Sequence, residues 1–396
     1  MVRRALCCAL LAEAVPIYPL YSLLFAASGL DSARISALFV IWCVVGIIAQ
    51  IPTGAVADRF SRRGALAMAG VLQGGGYAVW TVFPHFTGFA AGFVLWGVGG
   101  ALFTGSMEAL LYDGLRALDA QRHYPTVWGA VTATGMLAQL PAALAATVLF
   151  AEGGFRLVGW VSVAGCTVAG LLALRLPEAP HGPAPTQTHE PAEDTEADQD
   201  QVAPPVGGYV ATLRAGIREA IGLPSVRVAI LAVALLVGFD GLEEYFPLLA
   251  TDWGIPTGAV PLAVVGIPLL GAAGAALGGA ANRWPAAVLG GLLAVAFALF
   301  GIAGLLHVPA GVAAIAVGYG LYRLIEVVAS GRLQERIDGA RRATITSVAG
   351  LGADLGAIAL YAVWPLGRLT TVAVLGLLVA VALPRWLRPP TPPRRH

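Results

Sequence analysis

The sequence predicts an all-α integral membrane protein with twelve transmembrane helices in two six-helix bundles, both termini at the cytoplasmic face. Three observations carry that expectation. Of 396 residues, 58% are apolar and only 12% charged, with a mean hydropathy of +0.77, whereas soluble domains carry about 25% charged residues. Twelve apolar stretches approach the ~20 residues a helix needs to cross a bilayer. The arginines fall almost entirely on one side of the resulting alternation.

In chain order the stretches lie at 5–28, 33–57, 64–83, 86–113, 125–150 and 155–176, then at 225–250, 257–280, 284–306, 309–331, 342–364 and 367–387. The first follows Met1-Val2-Arg3-Arg4 and resembles a signal peptide, but Glu13 interrupts its apolar run, so it reads as a span. Most connections are short; Asp58 to Arg63 is all that separates spans 2 and 3. The exception is 177–208, rich in Pro, Ala, Thr and Gln with seven acids and no arginine. Such a segment cannot bury a core, which predicts a disordered acidic cytoplasmic linker. Residues 209–223, with Arg214, Arg218 and Glu219, suit a helix lying on the membrane surface. The predicted organisation is therefore a bundle at 1–176, the linker, the interfacial segment, a second bundle at 224–388 and a basic Pro-rich tail at 389–396. Pairs such as Gly70/Gly74, Gly88/Gly92, Gly274/Gly278 and Gly352/Gly356 read as close helix packing rather than nucleotide loops.

All 24 basic residues are arginine. Twenty fall on one side of the twelve-span trace; Arg34, Arg156 and Arg368 fall on the other, and Arg323 lies within a span. Positive residues mark the cytoplasmic face, which sets the orientation in a multi-pass cell (inner or plasma) membrane protein. The absence of lysine excludes a phosphate-loop, Schiff-base or kinase-type lysine in this chain. A net charge of +1 with scattered arginines gives no nucleic-acid signal. Cys7, Cys8, Cys43 and Cys166 sit in apolar runs without metal or redox spacing and read as packing residues, so no metal site is expected.

The loop between spans 2 and 3 reads Gly54-Ala-Val-Ala-Asp58-Arg59-Phe-Ser61-Arg62-Arg63. Here the chain resembles the major facilitator superfamily, whose signature in that loop is G-x-x-x-D-R/K-x-G-x-R/K-R/K; Ser61 stands at the glycine position. The resemblance implies a transporter, drug-efflux-like and bacterial, in which this loop latches the molecule on the cytoplasmic side; the alternative is that its arginines merely set topology. Asp113, at the end of span 4, is the expected partner of Arg62 or Arg63, and Glu108 is grouped with it. The antiport-associated glycine-proline pattern of span 5 is kept at Gly129, Gly135 and Pro141 but interrupted by Gln139-Leu140.

Charges inside spans are costly and usually mark function. They are Glu13, Glu108, Asp240, Glu243, Glu244, Arg323, Glu326 and Asp354, seven acids to one arginine. The resemblance implies a central cavity lined by spans 1, 4, 7 and 10, which hold all of them but Asp354. A carboxylate in an oily surrounding can exchange its proton near neutral pH, so Glu13 and Asp240, with no cation nearby in sequence, are the coupling candidates. Glu243, Glu244, Arg323, Glu326 and Asp354 complete the candidate set, with Tyr18, Tyr245 and Tyr322 as aromatic wall. Arg323 with Glu326 reads equally as a structural pair, and Glu243 or Glu244 as a solvated rim.

The expectation is a monomeric secondary transporter among membrane lipids, exporting a small amphipathic or cationic compound as a multidrug antiporter would, with a proton gradient as energy source and no cofactor. The alternatives are an uptake permease or symporter and, from other classes, a polytopic membrane enzyme or a non-transporting sensor.

Overall fold

The computed structural model describes residues 2–59, 61–177, 224–335 and 342–387, with the backbone alone at 51–59, 224–226, 228–229, 342–345 and 347. The acidic linker, the interfacial segment and the basic tail lie outside the described residues. The described chain is helical throughout, with no strand. Its first bundle comprises α1 (Val2–Glu13), α2 (Tyr21–Ala27), α3 (Ser32–Arg59), α4 (Arg62–Val82), α5 (Phe86–Arg116) and α6 (Tyr124–Ala173). The second comprises α7 (Pro224–Gly238), α8 (Phe246–Asp252), α9 (Val260–Val264), α10 (Gly266–Ala281), α11 (Ala286–Leu306), α12 (Gly311–Gln334) and α13 (Arg342–Trp386).

Seven stretches among the described residues are long and apolar enough to cross a membrane: Ser32–Gln50, Phe86–Arg116, Gln121–Ala173, Thr257–Ala281, Ala286–Leu306, Gly311–Gln334 and Val348–Trp386. Two of these are each a pair of helices joined at a bend. In α6 the bend falls at Gly153 and Gly154 (φ 58°, ψ −158°), and in α13 at Gly367 and Arg368 (φ 53°, ψ −138°). The two bends have nearly the same backbone shape, in a region that favours glycine, yet the second places an arginine there.

Spans 1 and 7, expected as continuous helices at 5–28 and 225–250, are broken. Pro16 and Pro19 lack the N–H that a helix interior needs, so the chain leaves α1 at Glu13 and re-enters helix at Tyr21. The break is repaired from α6, where Ser162 Oγ accepts from the Ile17 N–H at 3.1 Å. The second break runs through a 3-10 turn, Phe239–Tyr245, between α7 and α8. There the Tyr322 hydroxyl donates to the Leu236 carbonyl at 2.6 Å. Free backbone groups in an apolar medium cost several kcal/mol each, and both breaks borrow a side-chain hydroxyl from the same bundle. Each is followed by a seven-residue helix and a positive-φ glycine, Gly29 (φ 85°) and Gly254 (φ 92°).

Within the first bundle α5 packs on α3 and α4, and α6 on α1 and α4; within the second, α12 packs on α10 and α11, and α13 on α7 and α11. Glycine permits the tightest crossing: a Cβ on Gly274 of α10 would stand 1.9 Å from the Gly320 carbonyl oxygen of α12. Van der Waals packing at such approaches supplies association energy where the hydrophobic effect between helices is weak. The bundles meet through α3 and α13, α6 and α9, and α2 and α8.

Candidate functional site

The 3-10 turn of the second break fixes the first group of charges. Residues i and i+3 eclipse in such a turn, which sets Asp240 and Glu243 on one side, toward α12. Arg323 Nη1 of α12 lies 2.5 Å from Asp240 Oδ2 and 2.8 Å from Glu326 Oε2. The Tyr322 hydroxyl stands 3.0 Å from Asp240 Oδ1. Tyr319 stands 3.2 Å from the same oxygen and also bonds Glu243. Three carboxylates and two phenols therefore surround one guanidinium. Asp240, without a cation nearby in sequence, finds one 83 residues away. Arg323 and Glu326, one turn apart, form part of this wider network rather than an isolated pair.

Between the bundles lies a cavity of about 770 Å³. Four of the seven intramembrane carboxylates line it: Glu13, Glu243, Glu244 and Asp354. No arginine or histidine does among the described residues. Glu13, at the last turn of α1 before the break, packs against α6, where a Cβ on Gly135 would meet its Cγ at 3.3 Å. No ion pair to Glu13, Glu244 or Asp354 occurs among the described residues. The first-bundle wall is aromatic: Trp42 and Trp96 stack at 5.0 Å and 17°, and Tyr18 lies 5.8 Å from Trp96. A positive charge over such rings gains about 0.5–2 kcal/mol, most when desolvated. Opposite, Phe246 and Pro247 of α8 and Pro261, Val264, Val265 and Pro268 of α9 and α10 supply an apolar face.

One end of the cavity is shut by contacts between bundles. Ser36 Oγ of α3 and the Tyr245 hydroxyl lie 2.7 Å apart, both buried. Phe39 packs on Tyr245 and Tyr361, and Tyr245 stacks on Trp364 at 3.8 Å. Phe150 sits against Gly258 at the same end. Tyr245 thus belongs to this clasp and not to the cavity wall, and Tyr322 belongs to the charge network. From the clasp the cavity runs toward the arginine-rich end, reaching Gln50, Thr104 and Gly105.

At the arginine-rich end, Arg62 forms an ion pair with Asp113 and donates to the Ala109 carbonyl at 2.6 Å. This ties α4 to α5 within one bundle. Arg63 stands beside Arg62 at the start of α4. Glu108 is half-buried on α5, just over one turn before Asp113. The side chains of Gly54, Asp58 and Arg59 lie outside the described residues.

Three neutral amides that a search for formal charges passes over also line the cavity: Gln50, Gln73 and Gln139. Each was visible as a rare polar residue inside an apolar stretch. Trp42 carried no comparable signal, since indoles in spans are usually packing.

A family model described as the Major Facilitator Superfamily matches residues 5–361. The chain belongs to that superfamily. It is accordingly a multi-pass membrane transporter of a small molecule, not an enzyme. Solved structures of similar fold include a D-xylose-proton symporter (15% identity, 96% of each chain covered, TM-score 0.69) and the nucleoside transporter NupG (14%, 98% of each, 0.69). A bacterial homologue of the human lysosomal transporter Spinster, in an inward-facing and unoccupied conformation, is similar over 98% of this chain and 94% of its own (15%, 0.69). No curated protein matches.

Proposed function

We propose that this protein is a proton-coupled secondary transporter that exports a small amphipathic or cationic compound by alternating access between two six-helix bundles. The observation that carries the reading is the cavity of about 770 Å³, walled by four carboxylates and stacked indoles with no basic residue among its described lining. Such a wall attracts a positive, partly apolar ligand and repels carboxylates and phosphates, which bidentate arginine pairs would hold. We count twelve spans, taking each bent helix as two crossings and each of the pairs α1–α2, α7–α8 and α9–α10 as one. With the arginine-rich end in the cytoplasm of a plasma-membrane monomer, the clasp closes the outer side and the cavity faces inward.

Proton coupling is assigned to two groups. In the Asp240–Glu243–Arg323–Glu326 network, two carboxylates pair with one guanidinium and Glu243 joins them through Tyr319, so one proton can come and go while Arg323 keeps an ionised partner. Glu13, alone on the aromatic wall, takes either a proton or a cationic ligand, which is the exchange an antiporter requires. Flux in liposomes of known orientation, driven by an imposed pH gradient and followed with a panel of cationic and neutral amphiphiles, tests this. Outward, gradient-driven flux that is lost in Glu13→Gln and in Asp240→Asn is expected. Unchanged gradient-driven flux in both variants removes the coupling assignment, and flux only in the inward sense makes the protein an uptake symporter.

A further inference from the structure

Gln73 is the one cavity residue that is both strongly polar and nine-tenths buried, at 9% exposure. It stands on α4, behind α5 as seen from the cavity, and reaches the lumen because α5 is pared down in front of it. A Cβ on Gly99 would stand 2.9 Å from Gln73 Cγ, and one on Gly100 would stand 4.0 Å from Gln73 Nε2. Gly97 and Gly100 line the lumen beside the amide, and Trp96 stands one turn away on α5. No hydrogen bond to the Gln73 amide occurs among the described residues. The amide opens on the lumen rather than lying sealed in protein, so its two donors and its acceptor are left for whatever occupies the cavity. The space on its other flank is a void of about 10 Å³ between Cys8, Phe103 and Cys166, at the lower limit for a single water.

We propose that Gln73 reads the substrate through this glycine window: its amide hydrogen-bonds a neutral polar group of an aromatic ammonium whose charged nitrogen is held by Glu13. The inference rests on the cavity being the transport site and adds the ligand's chemical class and a specificity residue. Three features of one wall define the ligand. Glu13 supplies the anion. Trp96 and Tyr18, 5.8 Å apart, supply ring faces for a flat apolar body. Gln73 supplies donor and acceptor together, which suits a hydroxyl or an amide rather than a second charge. A polar group held at a fixed place in a cavity wall, with no protein partner, favours a ligand that carries the matching group over one that lacks it.

The test uses purified full-length protein in nanodiscs and two matched pairs of amines, tyramine with phenethylamine and serotonin with tryptamine, with affinities measured by calorimetry. The hydroxylated member of each pair is expected to bind about tenfold more tightly, a difference of about 1.4 kcal/mol. Gln73→Met closes the gap within each pair, whereas Glu13→Gln weakens both members alike. Should Gln73→Met fail to fold, Gln73→Asn, which withdraws the amide by one methylene, closes the gap in its place. Equal affinities in the unaltered protein overturn the proposal and assign the amide to a water in the small void. A gap that survives in the folded Gln73 variants overturns it too, as does an absence of binding by all four amines. Gradient-driven flux of other amphiphiles is measured separately, so a failed amine series leaves the transporter reading standing and a failed flux assay leaves the amine result intact.

Discussion

Arg323 is the single cation for three carboxylates, so removing it should cost more than removing any one acid. Its Nη1 lies 2.5 Å from Asp240 and 2.8 Å from Glu326, and at an effective dielectric of about 20 each contact is worth roughly 6 kcal/mol of gross Coulomb energy. Desolvation takes back most of that gain, and Asp240, at 34% side-chain exposure, is further screened by solvent. In Asp240→Asn the guanidinium keeps Glu326 and the amide stays within bonding distance of the Tyr322 hydroxyl, so the loss is about 1 kcal/mol. In Arg323→Gln the three acids face one another without a cation, and the loss is about 2–3 kcal/mol, toward the low end of what breaking a buried pair costs. The double variant Arg323→Gln with Asp240→Asn removes one of the stranded charges and should recover part of the deficit. The assay is apparent melting of the purified proteins in one detergent at one scan rate, since unfolding of a polytopic chain is often irreversible. The expected order of stability is unaltered, Asp240→Asn, double variant, Arg323→Gln. A double variant less stable than Arg323→Gln, or an Asp240→Asn as damaging as Arg323→Gln, would show that the network is not organised around the guanidinium.

Loss of the buried hydrogen bond between Ser36 and Tyr245 across the bundles, in Ser36→Ala or Tyr245→Phe, weakens the clasp by about 1 kcal/mol. Cysteine labelling at the clasp end should rise by about fivefold, and unchanged labelling would place closure elsewhere. At the α10–α12 crossing, Gly274→Ala sets a methyl 1.9 Å from a backbone oxygen and should cost about 1–3 kcal/mol in apparent melting. Gly279→Ala, five residues on, meets nothing within 4 Å and should melt at or above the unaltered protein. Arg62→Gln should loosen α4 from α5, raising hydrogen exchange in the first turns of α4 without altering amine binding.

Much of the architecture is legible because the bilayer as solvent leaves few options: a spanning helix must be long and apolar, and arginine must stay on one side. Glu13 and Asp354 could be picked out one at a time, since each is an expensive residue in an oily stretch. Partnerships were a different matter. Asp240 and Arg323 are 83 residues apart, and only the crossing of the 3-10 turn with α12 joins them. The break at Phe239–Tyr245 has no proline within it to announce it, unlike the break at Pro16 and Pro19; two glycines and a polar run were the only hints. Gln73 escaped because a search for formal charge ignores amides, although Gln73-Gly-Gly-Gly76 in span 3 was in plain view. Tyr245 and Tyr322 share a residue type with Tyr18, and no local pattern separates a clasp, a charge network and a cavity wall.

If the proposed function holds, the two breaks let one cavity carry both a ligand and a proton. Each bundle opens its leading span at a matching place, ahead of a seven-residue helix and a positive-φ glycine, and irregular backbone at membrane depth persists only where protein or a water-filled space satisfies it. The first break leaves Glu13 at its edge with no described cation, so that carboxylate is free to meet a ligand. The second leaves Asp240 and Glu243 tied to Arg323, Tyr319 and Tyr322, so protonation there changes hydrogen bonds inside the second bundle. Tyr245 of the clasp ends the same 3-10 turn that carries Asp240, Glu243 and Glu244. On the proposed coupling, a proton arriving at Glu243 would act on the turn whose last residue closes the cavity. In this arrangement occupancy of the first wall and opening of the clasp are linked through the shared cavity rather than through any direct bond between Glu13 and Asp240.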